Sequence, residues 1–365
     1  MRTVVVITTG GTIASTADND GVKVATVPGD ELVTSAMTPD GVAVRVVDVS
    51  SLNSYAMTFD DMDRVHSAVR AALDDSSTCG VVVSHGTDTL EETAMLVDLF
   101  HHDPRPVVFT GAQRSCDDAE GDGPRNLRDA IAVAASSTPR NLGVLVCFAG
   151  VLHAARGTRK VHNTALEAFF DVDNGPIGIV VDGCVRVHGK LARAETGLVS
   201  PVAIAGIRVD TVALYPGADS VAIDALVAAG SRGLVLQATG YGNANRDIAA
   251  AVGTHTAGGI PIVLSSRVSA GPIRAVYGGG GGGVDLTAAG AIPAGFLRPS
   301  QARILLAAQL AAGADRTQIV RAFHGRAERY TDRADDPSAR HSSTTKPPSA
   351  DQQTQPSVVI PTIRK

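Results

Sequence analysis

The chain predicts an α/β protein with a larger N-terminal parallel-sheet domain and a smaller C-terminal α/β domain. Three observations carry this reading. Runs of strand length, rich in Val and Ile and bounded by Gly, Asp or Ser, recur along the chain. Segments with helical spacing lie between them. The strand runs are continuously apolar rather than alternating, which marks strands covered on both faces.

In order, residues 3–9, 42–49, 80–84, 106–110, 142–148 and 177–181 read as strands of the first domain. Phe59, Met62, Val65, Val69 and Leu73 keep helical spacing, with Thr58 as N-cap and Asp61 in the acidic position of a capping box. Residues 90–101 and 126–135 also read as helices. These elements place the first domain at residues 1–181. The stretch 182–209 lacks a clear period and reads as a linker. The βα pattern resumes in a second domain at 210–330: strands at 211–215, 233–238 and 261–265, helices at 222–229, 246–252 and 301–312, with Ser300 as cap of the last. Residues 278–283 are six consecutive glycines, read as a flexible surface loop because glycine is costly to order and has no side chain to bury. The tail, 331–365, is dominated by Pro, Ser, Thr, Asp, Gln and basic residues and is expected to be disordered.

Composition removes several function classes. The formal charge is −5, without the basic balance of a nucleic-acid binder. No apolar run approaches the ~18 residues of a membrane span. The four cysteines, Cys79, Cys116, Cys147 and Cys184, form no ligand-spaced pair, so neither a metal nor another cofactor is expected. The first strand begins right after Met1-Arg2, so no signal peptide and a reduced, cytoplasmic setting are expected.

Two segments carry the chemistry. VVITTGGTIAS, starting at Val5, and VVSHGTDTLEETA, starting at Val82, are each an apolar strand run ending in small hydroxyl residues and glycine. In a parallel sheet such ends lie side by side at the carboxyl edge, where open α/β sheets bind ligands. That gathers Thr12, Thr87 and Asp88 into one pocket and suggests a threonine nucleophile. Taken alone, Thr12 reads as a turn or cap residue, and the second segment turns the reading towards catalysis. His85 and the pair Glu91 and Glu92 read as structural, the carboxylates favouring a helix first turn.

TTGGTIAS, HGTDTLEETA, GAQR…DGPRNLRDA, RGTRKVHNT and ATGYGNAN together resemble the bacterial-type L-asparaginase/glutaminase family over roughly residues 3–326. The resemblance implies an asparaginase-like fold and assembly as a homodimer or homotetramer. It implies hydrolysis of the side-chain amide of L-asparagine to L-aspartate and ammonia, some members also taking L-glutamine, without metal or organic cofactor. It makes Thr12 the nucleophile, and Thr87, Asp88 and Lys160 the second catalytic group. Asp88 would also hold the substrate's α-ammonium, and Ser54 its α-carboxylate. Tyr55 stands where many members carry a polar amide. Ala112 would offer its backbone oxygen to the amide nitrogen, while Gly11 and Gly86 line the pocket. Asn245 matches a residue that reaches the neighbouring subunit's site, although it reads equally as a turn asparagine.

The chain departs from the family at the lid. Many members carry a tyrosine after GGTIA, and residues 15–31 contain none. Lys23 and Thr26 are the nearest polar candidates. The absence keeps a second reading open, a catalytically impaired amino-acid-binding protein of the same fold. A nucleotide-binding module is disfavoured, since TTGGT has neither G-x-G-x-x-G spacing nor a P-loop lysine.

Overall fold

The computed structural model describes residues 2–189 and 196–324. The strands are β1 (Arg2–Gly10), β2 (Ser15–Ala17), β3 (Lys23–Ala25), β4 (Val42–Leu52), β5 (Thr78–Ser84), β6 (Val107–Thr110), β7 (Val144–Phe148), β8 (Val151–Ala154), β9 (Arg159–Lys160), β10 (Phe169–Phe170), β11 (Gly178–Val181), β12 (Cys184–Val187), β13 (Val209–Ala213), β14 (Gly233–Ala238), β15 (Ile262–Ser266) and β16 (Ile292–Pro293). The helices are α1 (Gly29–Ala36), α2 (Phe59–Asp74), α3 (Leu90–Phe100), α4 (Gly123–Ala135), α5 (Val221–Ala228), α6 (Arg246–Ala257), α7 (Gly283–Ala288), α8 (Pro299–Ala311) and α9 (Arg316–His324).

The larger sheet has eight strands in the order β12-β11-β8-β7-β6-β5-β1-β4. The five strands from β4 to β7 in that order are parallel. From β8 onwards the sheet turns antiparallel, which the expectation of a wholly parallel sheet misses. The cause is local: β7 and β8 are joined by Ala149 and Gly150 alone, both at positive φ (50° and 77°). A two-residue turn of that kind makes a hairpin, and a hairpin can only be antiparallel.

The parallel strands are buried on both faces. Val4, Val6, Val82 and Val108 pack towards α1 and α4, while Val5, Ile7, Val81, Val83 and Phe109 pack towards α2 and α3. The capping box of α2 forms as expected: Thr58 Oγ1 accepts from Asp61 N, and Asp61 accepts from Thr58 N at 2.8 Å.

The smaller, C-terminal sheet is parallel, in the order β13-β14-β15-β16. Leu234, Leu236, Ile262 and Leu264 pack in a cluster with Ile223 of α5, Ile248 of α6 and Leu286 of α7. Val235 and Val263 pack the other way, into a cluster with α8 and α9 that also takes in Met62 of α2 and Met95, Leu96, Leu99 and Phe100 of α3. The two sheet domains therefore share one apolar core. Asp63 fastens the connecting stretch by accepting Ile204 N at 3.1 Å and Ala205 N at 2.8 Å. Residues 190–195 of the expected linker and the whole expected tail lie outside the described residues.

Two expectations about the second domain are corrected. Ser300 does not cap α8: Pro299 takes the first helical position and Arg298 the N-cap, as proline's fixed φ and missing N–H favour. The glycine run is no open loop. Asp285 Oδ2 accepts the N–H groups of Gly280, Gly281 and Gly282 at 2.8, 2.8 and 3.0 Å, so the cradle is filled by the chain's own carboxylate. A Cβ on Gly281 would come within 2.4 Å of the Asn245 backbone, and one on Gly282 within 2.0 Å of the Tyr277 carbonyl oxygen. The glycines are there because backbone packs on backbone.

Two buried histidines give the fold a titration signature. His66 of α2 stacks on Phe100 at 5.2 Å. His85, at the end of β5, holds the carbonyl of Gly86 through Nδ1 at 2.7 Å. Burial above all pulls each imidazole from the ordinary 6.5 to about 4. A histidine whose folded pKa is depressed lends stability above its unfolded value, and that contribution is lost as pH falls from about 6.5 towards 4. The melting temperature is therefore expected to fall across this window, the loss reaching on the order of 3 kcal/mol per histidine. His66→Gln should flatten the slope. Thermal unfolding at neutral and at mildly acidic pH checks this, and a wild-type melting temperature indifferent to pH over that range would contradict it.

Candidate active site

The carboxyl edge of the parallel strands is level. Thr8 of β1 lies beside Ser84 of β5, Ser84 lies beside Thr110 of β6, and Gly10 lies beside Leu52 of β4. The segments that follow leave this edge together and carry Thr12, Ser54, Thr87, Asp88 and Ala112.

The segments touch through backbone. Gly11 has φ 80°, and a Cβ there would lie 2.3 Å from the Gly86 Cα. A Cβ on Gly86 would lie 2.7 Å from Ser54 Oγ. Glycine is required at both places, one for its φ and each for close approach. Thr12 opens the 3-10 turn Thr12–Ala14 directly beyond this contact and is half-buried. Among the described residues its hydroxyl has no hydrogen-bond partner.

Lys160 is the centre of the polar cluster. Its Nζ donates to Thr87 Oγ1 and to Asp88 Oδ1, both at 2.8 Å. Thr87 is buried, Lys160 mostly so, and the Asp88 carboxylate about half exposed. An ammonium can only donate, so Thr87 Oγ1 is the acceptor and keeps its own proton for another partner. Ser54 repeats this logic. Its Oγ accepts Asp88 N at 3.1 Å, which leaves the hydroxyl proton available, and its carbonyl accepts Thr89 Oγ1 at 2.9 Å.

Ala112 is fully buried. Its loop is shaped by Asp122, which accepts Gln113 N at 3.0 Å and Arg114 N at 2.9 Å, and by Asn126, whose Nδ2 donates to the Gly111 carbonyl at 3.0 Å. These two residues are what DGPRN in the sequence encodes. Tyr55 points outward at 72% exposure, its phenol accepting from Asn53 Nδ2 at 3.1 Å. Asn245 caps α6: its Oδ1 accepts Ile248 N at 3.0 Å and its Nδ2 donates to the Ala218 carbonyl at 2.6 Å. The structure does not join it to the Lys160 cluster within one chain.

Glu91 and Glu92 do more than serve a helix dipole. Glu91 accepts Lys160 N at 2.7 Å and Ser300 Oγ at 2.5 Å, and Glu92 pairs with Arg303 at 3.2 Å. Burial pushes both carboxyls up. His85 is buried and neutral, in keeping with a structural role.

The segment expected to be the lid forms the β2–β3 hairpin. Lys23 Nζ sits on both oxygens of Asp117, at 2.8 and 3.0 Å, and Thr26 pairs with Thr16 at 2.8 Å. Both lid candidates are thus engaged away from Thr12. Asp117 also takes Ser115 Oγ at 2.6 Å and Ala17 N at 2.8 Å.

The chain is similar to known proteins over most of its length. The family model for the asparaginase N-terminal domain matches residues 3–193, and that for the glutaminase/asparaginase C-terminal domain matches residues 208–323. The L-asparaginase of Bacillus licheniformis is 32% identical over 311 residues, 85% of this chain and 96% of that protein. L-asparaginase 2 of Escherichia coli is 31% identical over 329 residues, 88% of this chain and 92% of that protein. The crystal structure of a probable cytoplasmic L-asparaginase from Campylobacter jejuni superposes with a TM-score of 0.79 at 29% identity, covering 89% of this chain and all of that one.

The lid latch is testable by itself. Lys23 first, then Ser115 and the Ala17 N–H, hold the Asp117 carboxyl far below the usual range. A depressed carboxylate keeps its contribution at neutral pH and loses it only in strong acid. Asp117→Ala should free the hairpin, so that trypsin cuts after Lys23 several-fold faster than in wild type. An unchanged cleavage rate would show that the latch does not hold the lid.

Proposed function

The chain belongs to the asparaginase family, and from that premise we propose how its pocket performs L-asparaginase chemistry. The reaction is hydrolysis of the side-chain amide of L-asparagine to L-aspartate and ammonia. The observation that carries the assignment of roles is the Lys160 ammonium bridging Thr87 and Asp88 beside the Gly11–Gly86 contact that presents Thr12.

Thr12 Oγ1 attacks the side-chain carbonyl carbon, and the proton its hydroxyl gives up passes to the amide nitrogen. The tetrahedral intermediate collapses with loss of the amide nitrogen as ammonia, once that nitrogen has gained a proton, and an acyl-threonine ester remains. Water then attacks the ester, releasing L-aspartate and restoring the hydroxyl. Thr87, whose proton is left free by the Lys160 bond, donates to the developing oxyanion or orients the water.

Recognition follows the same hydrogen-bond inventory. Ser54 keeps a proton to donate, which suits the substrate's α-carboxylate. The exposed Asp88 Oδ2 suits the α-ammonium, a charge-assisted pairing. The Ala112 carbonyl accepts from the amide nitrogen, and Gly11 and Gly86 let the ligand approach the backbone. Tyr55 closes the outer rim.

A second copy of the chain completes the pocket in this reading, as homodimer or homotetramer, with Asn245 reaching the partner's site through the amide N–H that its helix cap leaves unused. We place the protein in the cytoplasm, as four free cysteines, two of them exposed, support. Weak turnover of L-glutamine is the secondary activity.

Thr12→Ala should lower ammonia release from L-asparagine by at least about a thousandfold while leaving the melting temperature within a degree or two. Ammonia release at the wild-type rate would remove Thr12 as nucleophile. A wild-type protein whose melting temperature rises with L-asparagine or L-aspartate, yet releases no ammonia, would be an amino-acid-binding protein instead.

A further inference from the structure

The first turn of α8 belongs to the C-terminal domain, yet its polar side chains are directed at the segment that carries Lys160. Gln301 is 3% exposed. Its Oε1 accepts Gly157 N at 2.8 Å, and its Nε2 faces the carbonyls of Ala155, Thr158 and Glu91 at 2.8, 3.0 and 3.3 Å. One amide thus holds residues just ahead of β9, the two-residue strand that ends at Lys160. Ser300 acts on Lys160 itself, through one intermediary. Its hydroxyl donates to Glu91 Oε1, and Glu91 Oε2 takes the backbone N–H of Lys160.

The segment needs this support. Gly157 sits at φ 99°, with the Asp171 carboxylate where a side chain would stand, and among the described residues β9 pairs only with the equally short β10. So short a ribbon is marginal unless it is packed against something.

We propose that Ser300 and Gln301 are positioning residues for Lys160, so that the C-terminal domain sets the catalytic ammonium of the N-terminal domain. This rests on the assignment of Lys160 to the catalytic group. Neither residue is assigned a contact with substrate; Gln301 acts through the backbone that leads into Lys160, and Ser300 through Glu91 on the N–H of Lys160 itself. A displacement of the ammonium of about 1 Å would weaken its bonds to Thr87 and Asp88, and misplacements of that size are costly to rate.

The test uses the full chain with Gln301→Met, Ser300→Ala, Lys160→Met and the Gln301→Met/Lys160→Met pair, measuring kcat and KM for ammonia release together with melting temperature. Gln301→Met should lower kcat about tenfold with KM little changed, because Ser54 and Asp88 still hold substrate. Ser300→Ala, the milder change, should lower kcat by a few-fold and serves if Gln301→Met folds poorly. In the Lys160→Met background Gln301→Met should cost nothing more, since the group it positions is gone. Wild-type kcat in both folded single variants, or an equal loss with and without Lys160, would overturn the proposal. Full activity in Lys160→Met would instead remove the Lys160 assignment, and this inference with it.

Discussion

The contact between Gly11 and Gly86 is the constraint on which the rest of the site depends. Two strands of a parallel sheet lie about 4.8 Å apart, so the segments leaving their carboxyl ends must either part or touch. Here they touch, with no room for a Cβ at either glycine. Thr12 is therefore fixed against the segment that carries Thr87 and Asp88, and Ser54 is drawn in as the third surface. The level register of β1, β4, β5 and β6 makes that meeting unavoidable once the sheet forms.

Features governed by near neighbours in the chain could be read directly. The α2 capping box is one, since Thr58 and Asp61 are three residues apart and need no tertiary help. The buried parallel strands are another, because burial on both faces leaves no polar position to break the run. That Thr12 and Thr87 follow neighbouring strands was legible for the same reason: each sits just past such a run. A feature set by a distant partner was not legible, and neither were two local ones. Nothing near Ser300 announces that Glu91, 209 residues away, will take its hydroxyl and leave the capping position to Arg298. The glycine run was misread because its ligand, Asp285, lies beyond it and resembles an ordinary first-turn acid of α7. The turn from β7 to β8 was missed because Ala149 gives no hint of positive φ.

The contacts that sequence reasoning missed share a property: each joins polar groups across an element boundary. Asp63 holds the connection between domains, Asp122 and Asn126 shape the Ala112 loop, and Glu91 and Gln301 grip the approach to Lys160. A buried polar group without a partner is costly, so such residues persist only where several backbone groups need satisfying at once. Periodicity sees apolar positions and is blind to these.

The polarity of the cluster explains why two hydroxyls and one ammonium sit together. Lys160 cannot accept a hydrogen bond, so both of its side-chain contacts force the partner to act as acceptor. Thr87 thereby presents its proton outward, and Ser54 is turned the same way by Asp88 N. The pocket consequently offers donors at Thr87 and Ser54 and an acceptor at the free oxygen of Asp88, the set that the proposed reading needs for an oxyanion, a carboxylate and an ammonium. These orientations are set before any ligand arrives, which is the condition under which dipoles stabilise a transition state without first having to reorganise. Thr12 differs from both: its hydroxyl is given no partner among the described residues, which suits the nucleophilic role proposed for it.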